Sequence, residues 1–276
     1  MAVYDTPGNV RLKLRLSAGW IKITTQETDQ TKVDVIPLND DPASAEAARS
    51  VREGSRRDGE TYEVSVESSD RAHRFLSFGR DPQIGFEIST PHGASVEVSI
   101  ASADVSGSGI FGDVDVRSAS GDVEFDRVTG AATVKTASGD VRVQEAARGA
   151  DIKTASGDVV LKKVGERLAA TLVSGDLEVN GLTGSSHAST VSGDIRIEGA
   201  ADGDAHLRSV SGDVLFEVKP GCSVWMDVNS LSGSTSSELE LGAPPASGRA
   251  DLELRATSVS GDIRVTRGRD RASTGS

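Results

Sequence analysis

The triplet Ser-Gly-Asp starts at Ser120, Ser138, Ser156, Ser174, Ser192, Ser211 and Ser260, a Ser-Gly-Ser variant starts at Ser232, and a degenerate Ser-Ala-Asp starts at Ser102. From Ser102 to Ser192 the starts lie 18 residues apart, and the later steps are 19, 21 and 28. Five equal steps in succession restrict the chain to a repeat architecture. One short unit that cannot bury its own apolar face is stacked on copies of itself.

Each unit obeys one grammar. An apolar residue stands four before the Ser: Val116, Val134, Ile152, Ala170, Ala188, Leu207, Val228 and Ala256. A hydroxyl residue stands two before it, at Ser118, Thr136, Thr154, Thr190, Ser209, Ser230 and Ser258, with Leu172 as the exception. Two apolar residues spaced two apart follow the Asp, as in Val123/Phe125, Val141/Val143, Ile195/Ile197 and Ile263/Val265. That period of two marks short strands with one buried face. Each unit is therefore a strand, a tight Gly-Asp corner, a second strand and a longer turn. Whole columns share residue types, which favours parallel stacking with residue i over residue i+18. The predicted fold is all-β, a parallel β-solenoid with coils of about 18 residues. The alternative is an antiparallel meander or propeller, because Gly-Asp also serves as a two-residue hairpin turn.

Three regions are expected. Residues 1–100 form a β-rich capping region, 101–266 the solenoid, and 267–276 a polar, disordered tail. In the first region strands are expected at Val10–Leu16, Lys32–Pro37, Thr61–Val66, Gln83–Ser89 and Ser95–Ile100, and Ser17–Ile23 reads as a worn copy of the corner and second strand. Asp41–Arg52 is the only expected helix, with Asp41 as N-cap and Pro42 at its first position. Open strand edges at the ends of a solenoid invite polymerisation, which gives this region its capping role. Pro244-Pro245 marks an inserted loop behind the long last step.

The sequence is poor in chemistry. Asp122, Asp140, Asp158, Asp176, Asp194, Asp213 and Asp262 form a column whose expected role is structural, each carboxylate capping its own corner. A calcium ladder is the rival reading, but the Gly-Gly-x-Gly-x-Asp element is missing. His187 and His206 lie about one coil apart and are weak metal candidates without a third ligand. Arg74, Phe75, Phe78 and Arg80 form a basic, aromatic stretch, either an ordinary hairpin loop or a candidate partner loop. Cys222 reads as a small apolar residue, and as the single cysteine it excludes an intrachain disulfide. The repeated serines are too many and too even to be nucleophiles. No cofactor is expected, and no catalytic residue stands out.

Net charge is -12, from 30 Lys and Arg against 42 Asp and Glu, which argues against a nucleic-acid or anionic-membrane surface. Aromatics make up 4% of the chain, too few for stacking platforms. The first residues lack a basic n-region and an apolar h-region, and no apolar run is long enough to span a membrane, so a cytoplasmic location with peripheral envelope association is expected.

The evenly spaced Ser-Gly-Asp units, the β-rich N-terminal portion and the closing Ser258-Val259-Ser260-Gly261-Asp262-Ile263-Arg264-Val265 resemble the bacterial β-strand-repeat family of unknown function labelled "putative adhesin". The resemblance covers essentially the whole chain. It implies a right-handed β-helix without known catalysis, and some relatives are linked to envelope-stress regulation. The resulting expectation is a non-catalytic scaffold that binds a protein partner, possible settings being envelope or developmental regulation. The alternatives are a ligand- or calcium-binding module and an enzyme with a cryptic groove site.

Overall fold

The computed structural model describes residues 1–68, 83–239 and 250–268. The chain divides into two compact units, Met1–Glu145 and Ala146–Ser276.

In the first unit the strands are β1 (Ala2–Asp5), β2 (Asn9–Gln26), β3 (Gln30–Pro37), β4 (Arg52–Asp58), β5 (Thr61–Glu67), β6 (Ile84–Pro91), β7 (Ala94–Ser120), β8 (Val123–Val128), β9 (Ala131–Ser138) and β10 (Val141–Ala146), with the last residue of β10 falling to the second unit. Strand β2 is a complete coil. Its alternating Leu12, Leu14 and Leu16 and, past the corner, Ile21 and Ile23 are all buried. One edge of β2 pairs in parallel with β7, from Arg11 opposite Ser95 to Thr24 opposite Ser108. Its other edge pairs in parallel with β5, Asn9 opposite Thr61, and with β6, Gly19 opposite Ile84. Like side chains therefore stack through the core, with Leu12 between Val64 and Val96 and Ile21 between Phe86 and Val105. Strand β7 continues into the next coil, where Val105 lies opposite Val123 and Val116 opposite Val134.

Antiparallel strands finish this end. β3 lies along β6, β1 along β3, and β4 along β5. The helix α1 spans Pro42–Ser50, and the Asp41 carboxylate accepts the Ala43 amide at 3.1 Å. It is shorter than the expected Asp41–Arg52, because Arg52 opens β4, where Arg52 pairs with Glu67.

In the second unit the strands are β11 (Gly149–Ser156), β12 (Val159–Val164), β13 (Arg167–Ser174), β14 (Leu177–Val179), β15 (Ser185–Ser192), β16 (Ile195–Ala200), β17 (Gly203–Ser211), β18 (Val214–Val218), β19 (Val224–Ser230), β20 (Thr235–Ser237), β21 (Leu252–Ser260) and β22 (Ile263–Arg267). Every strand pair with a register in this unit is parallel, as in Ala170 opposite Ala188 and Leu177 opposite Ile195. The parallel registers settle the architecture as a β-solenoid and rule out the antiparallel meander.

Stacking does not follow chain order throughout. The coil β21–β22 pairs on one side with β17–β18 and on the other with β19–β20. The Ser260 unit is thus inserted between the Ser211 and Ser232 units. The outer β19–β20 coil has nothing over its free edge among the described residues. Val224, Met226 and Val228, which point inward, are accordingly only half-buried, whereas Leu252, Leu254 and Ala256 beside them are at most 1% exposed.

Candidate functional site

The Asp column comes first because the repeat is built around it. In the first unit the Asp122 amide donates to Asp104 Oδ1 at 2.9 Å and the Asp140 amide to Asp122 Oδ1 at 2.9 Å. In the second unit Asp176 donates to Asp158 at 2.9 Å, Asp194 to Asp176 at 2.8 Å, Asp213 to Asp194 at 2.7 Å and Asp262 to Asp213 at 2.8 Å. The expected cap on each residue's own corner is therefore a cap on the neighbouring coil. Neighbouring strands about 4.8 Å apart place each carboxylate within reach of the next corner's N–H. An ionised acceptor makes this bond stronger than a neutral one, which offsets the repulsion along the column.

Glycine is required at these corners. Gly193 has φ +134°, and a Cβ there would run into the Gly175 carbonyl of the coil beneath.

The last step of the ladder differs. The Ser234 amide donates to Asp262 Oδ1 at 2.8 Å. That amide, then the Ser234 side chain, with Arg264 nearby, hold the Asp262 carboxyl below its ordinary range. The outer coil carries Ser234 where the other coils of the second unit carry Asp, and no further coil among the described residues lies beyond it to be capped.

His187 and His206 sit opposite each other on β15 and β17, their rings stacked with centroids 4.8 Å apart and planes at 26°. Among the described residues no group of three or more His, Cys, Asp or Glu is placed to hold a metal ion. Cys222 is a half-buried free thiol, and its carbonyl accepts from Arg267 Nη1 at 3.4 Å. Arg74, Phe75, Phe78 and Arg80 lie outside the described residues, as does the expected tail from 269 onward. Among the described residues no helix is long and apolar enough to cross a membrane.

One feature was missed by reading the sequence for buried positions. The residue just before each Ser points outward, and in the second unit it is apolar in five stacked coils. In stack order these are Val173, Val191, Val210, Val259 and Leu231, which are 52%, 50%, 42%, 46% and 83% exposed. The Leu231 amide donates to the Ser258 carbonyl at 3.1 Å, which holds Leu231 beside Val259. At about 4.8 Å per step this ladder runs for roughly 19 Å. The same position is Ala119 and Ala137 in the first unit and Ala155 in the first coil of the second. The fold therefore does not need a large apolar group there. The signal was available in the sequence as a column, but a column of solvent-facing residues carries no periodicity that identifies it.

The profile of a family described as Toastrack DUF4097 matches residues 11–266. The chain belongs to this Toastrack family. Among solved structures it is similar to a putative adhesin from Bacteroides fragilis at 15% identity, with 96% of this chain and 95% of that one covered and a TM-score of 0.46. It is also similar to a putative cell adhesion protein from Clostridium sporogenes at 10% identity, with 97% and 98% covered and a TM-score of 0.28. A putative lipid binding protein from Parabacteroides distasonis is 11% identical, with 97% and 96% covered and a TM-score of 0.32. No curated protein matches the chain in sequence.

Proposed function

We propose that this Toastrack protein is a non-catalytic scaffold that binds a protein partner along the outer face of its second unit. The observation that carries this reading is the exposed Val173–Val191–Val210–Val259–Leu231 ladder. Isolated exposed apolar residues are ordinary, but a contiguous row of them marks an interaction surface. The Ala residues at the equivalent positions show that stacking alone does not select Val. The placement of the partner in envelope or developmental regulation rests on the family resemblance alone.

A photoreactive amino acid placed at Val191 tests the reading, with the same group at Ala137, the equivalent position of a repeat in the first unit, as reference. In the source cell, position 191 is expected to cross-link one partner and position 137 to give none. The product is expected to disappear when Val210→Asp is added. Equal yields from the two positions would reject the reading.

A further inference from the structure

The two strands of the outer coil end the core in different ways. On β20 the inward positions hold Thr235 and Ser237, opposite Ile263 and Val265 of the coil beneath, and both are exposed. The other coils carry apolar residues there, as in Val123/Phe125 and Val214/Phe216. On β19 the inward positions stay apolar: Val224, Met226 and Val228 lie opposite Leu252, Leu254 and Ala256. Hydroxyls thus meet water on the β20 half, while the β19 half keeps a half-buried apolar stripe that one more strand would cover.

The backbone of β19 is open on the same side. Among the described residues its register is with β21 alone. The Ser223 carbonyl accepts the Leu252 amide, and the Leu231 amide donates to the Ser258 carbonyl. Alternate residues of a parallel strand bond to the same neighbour, so the odd-numbered residues from Ser223 to Leu231 face β21. The N–H and C=O groups of Val224, Met226 and Val228 then face the open edge. Such a row is a template for an added strand. The N-terminal coil shows that this fold accepts one, since β4 pairs antiparallel with the outer edge of β5.

The charge of the outer coil restricts what can dock. Residues 222–239 carry Asp227 and Glu238 and no Lys, Arg or His. In the coil beneath, Asp251, Glu253 and Asp262 are balanced by Arg255, Arg264 and Arg267. Arg255 lies opposite Asp227 but also sits 5.4 Å from the Trp225 ring and 3.9 Å from Glu253. This end is therefore acidic, in a chain of net charge -12.

We propose that the β19 edge docks an extended segment of a partner protein in which apolar residues alternate with Lys or Arg. Its backbone pairs with Val224, Met226 and Val228, its apolar side chains cover those three, and its cations share the outward face with Asp227. Main-chain bonds supply affinity, and the side-chain pattern supplies choice. A whole coil is not the occupant, because its apolar second strand would bury the Thr235 and Ser237 hydroxyls. The Val173–Leu231 ladder plays no part in this site.

The experiment uses the full chain and labelled peptides in which Val alternates with Lys, Gln or Glu, with a scrambled Val/Lys peptide as control. Fluorescence anisotropy is expected to show the Lys peptide binding at least about tenfold tighter than the Glu peptide, with the Gln peptide between them and the scrambled one not binding. Amide exchange at Val224, Met226 and Val228 is expected to slow when the Lys peptide is added. Met226→Pro removes an N–H that faces the open edge and spares the pairing with β21, so it is expected to abolish binding while circular dichroism stays unchanged. Two Lys peptides N-methylated at alternate positions test the pairing without altering the protein: one is expected to bind like the parent and the other to lose binding. Equal binding of these two, of the Lys and Glu peptides, or of the scrambled and alternating peptides would overturn the inference, as would no binding at all. Slow exchange of the three amides in the free chain would overturn it in favour of an edge that the chain covers itself. A concentration-dependent dimer abolished by Met226→Pro would overturn it in favour of a second copy. The scaffold reading is tested separately, since Met226→Pro is expected to leave the cross-link from position 191 intact.

Discussion

The two ends of the chain solve the same problem with different chemistry. At the N-terminal end the first coil, β2, is inserted between the β5–β6 coil and β7. At the C-terminal end the last coil, β21–β22, is inserted between β17–β18 and β19–β20. In both places the inserted coil has a hydrogen-bonded neighbour on each edge. The difference lies in what covers the outer coil. β5–β6 is overlaid by antiparallel β4 and β3, so Phe86 and Ile88 are at most 1% exposed. β19–β20 has no such overlay among the described residues, and its inward side chains remain half-exposed. An antiparallel strand closes an edge by pairing with it. The C-terminal end instead withholds the carboxylate that another coil would need.

The sharpest way to break this comparison is to truncate equivalent side chains at the two outer coils. Phe86→Ala removes a fully buried ring from the covered coil and is expected to cost about 3–5 kcal/mol. Val228→Ala removes less volume from a half-exposed position and is expected to cost about 1 kcal/mol or less. Leu254→Ala, in the inserted coil beside it, is expected to cost about 2–5 kcal/mol, because Leu254 is buried between two coils. Urea melts of the three variants check the ranking. A Val228→Ala cost as large as that of Leu254→Ala would mean that the outer coil is as well covered as the inner one.

A smaller effect tests the ladder's end. Asp262 serves Ser234 above it, while its own amide is held by Asp213 below. If the coils were stacked in chain order, Asp262 would lie on Ser234 and its amide would lose its carboxylate acceptor. The inserted order satisfies both amides. Asp262→Ala is therefore expected to raise hydrogen exchange across residues 224–237 while sparing β15 and β17. Asp262→Asn, which keeps an acceptor oxygen, is expected to fall between Asp262→Ala and the native chain. Ser234→Asp is expected to leave exchange unchanged and to allow end-to-end dimers in sedimentation. A monomer in that variant would show that the missing carboxylate is not what ends the stack.

These elements differ in how readable they were from the sequence. The coils were legible because apolar residues alternate around a fixed Ser-Gly-Asp, and the buried positions Ile152, Ala170 and Leu207 stack as that pattern requires. β4, with the sequence Arg-Glu-Gly-Ser-Arg-Arg-Asp, has no apolar alternation. It forms because the free edge of β5 offers backbone partners, a fact of tertiary structure. The order of the coils was not legible either, since like columns make each coil a fitting neighbour for the others. In the second unit Ser234, where the other coils have Asp, was the one sign of which coil lies outermost. The Asp column was visible as a set of residues, but the recipient of each hydrogen bond depended on the distance between coils. The outward Val ladder required burial to be known before it stood out.

The gentlest test is acid. Two carboxyls fasten the outer C-terminal coil: Asp262 through Ser234, and Asp251, whose Oδ2 accepts from the Ser223 amide at 2.9 Å and hydroxyl at 2.8 Å. Both are held below their ordinary range mainly by those backbone bonds. A carboxyl that is harder to protonate in the folded chain than in the unfolded one stabilises the fold at neutral pH, and that stabilisation is lost as pH falls through its folded-state value. At the other end Glu63 is likewise held low, first by its bond to Lys13 at 2.9 Å, which ties β5 to β2. Acid therefore loosens both outer coils, but β5 keeps its pairing with β4 as well as with β2. On lowering the pH, exchange in residues 224–237 is expected to rise before exchange in residues 61–67. Simultaneous opening of the two segments would show that carboxylate bonds, rather than the antiparallel overlay, set the stability of both ends.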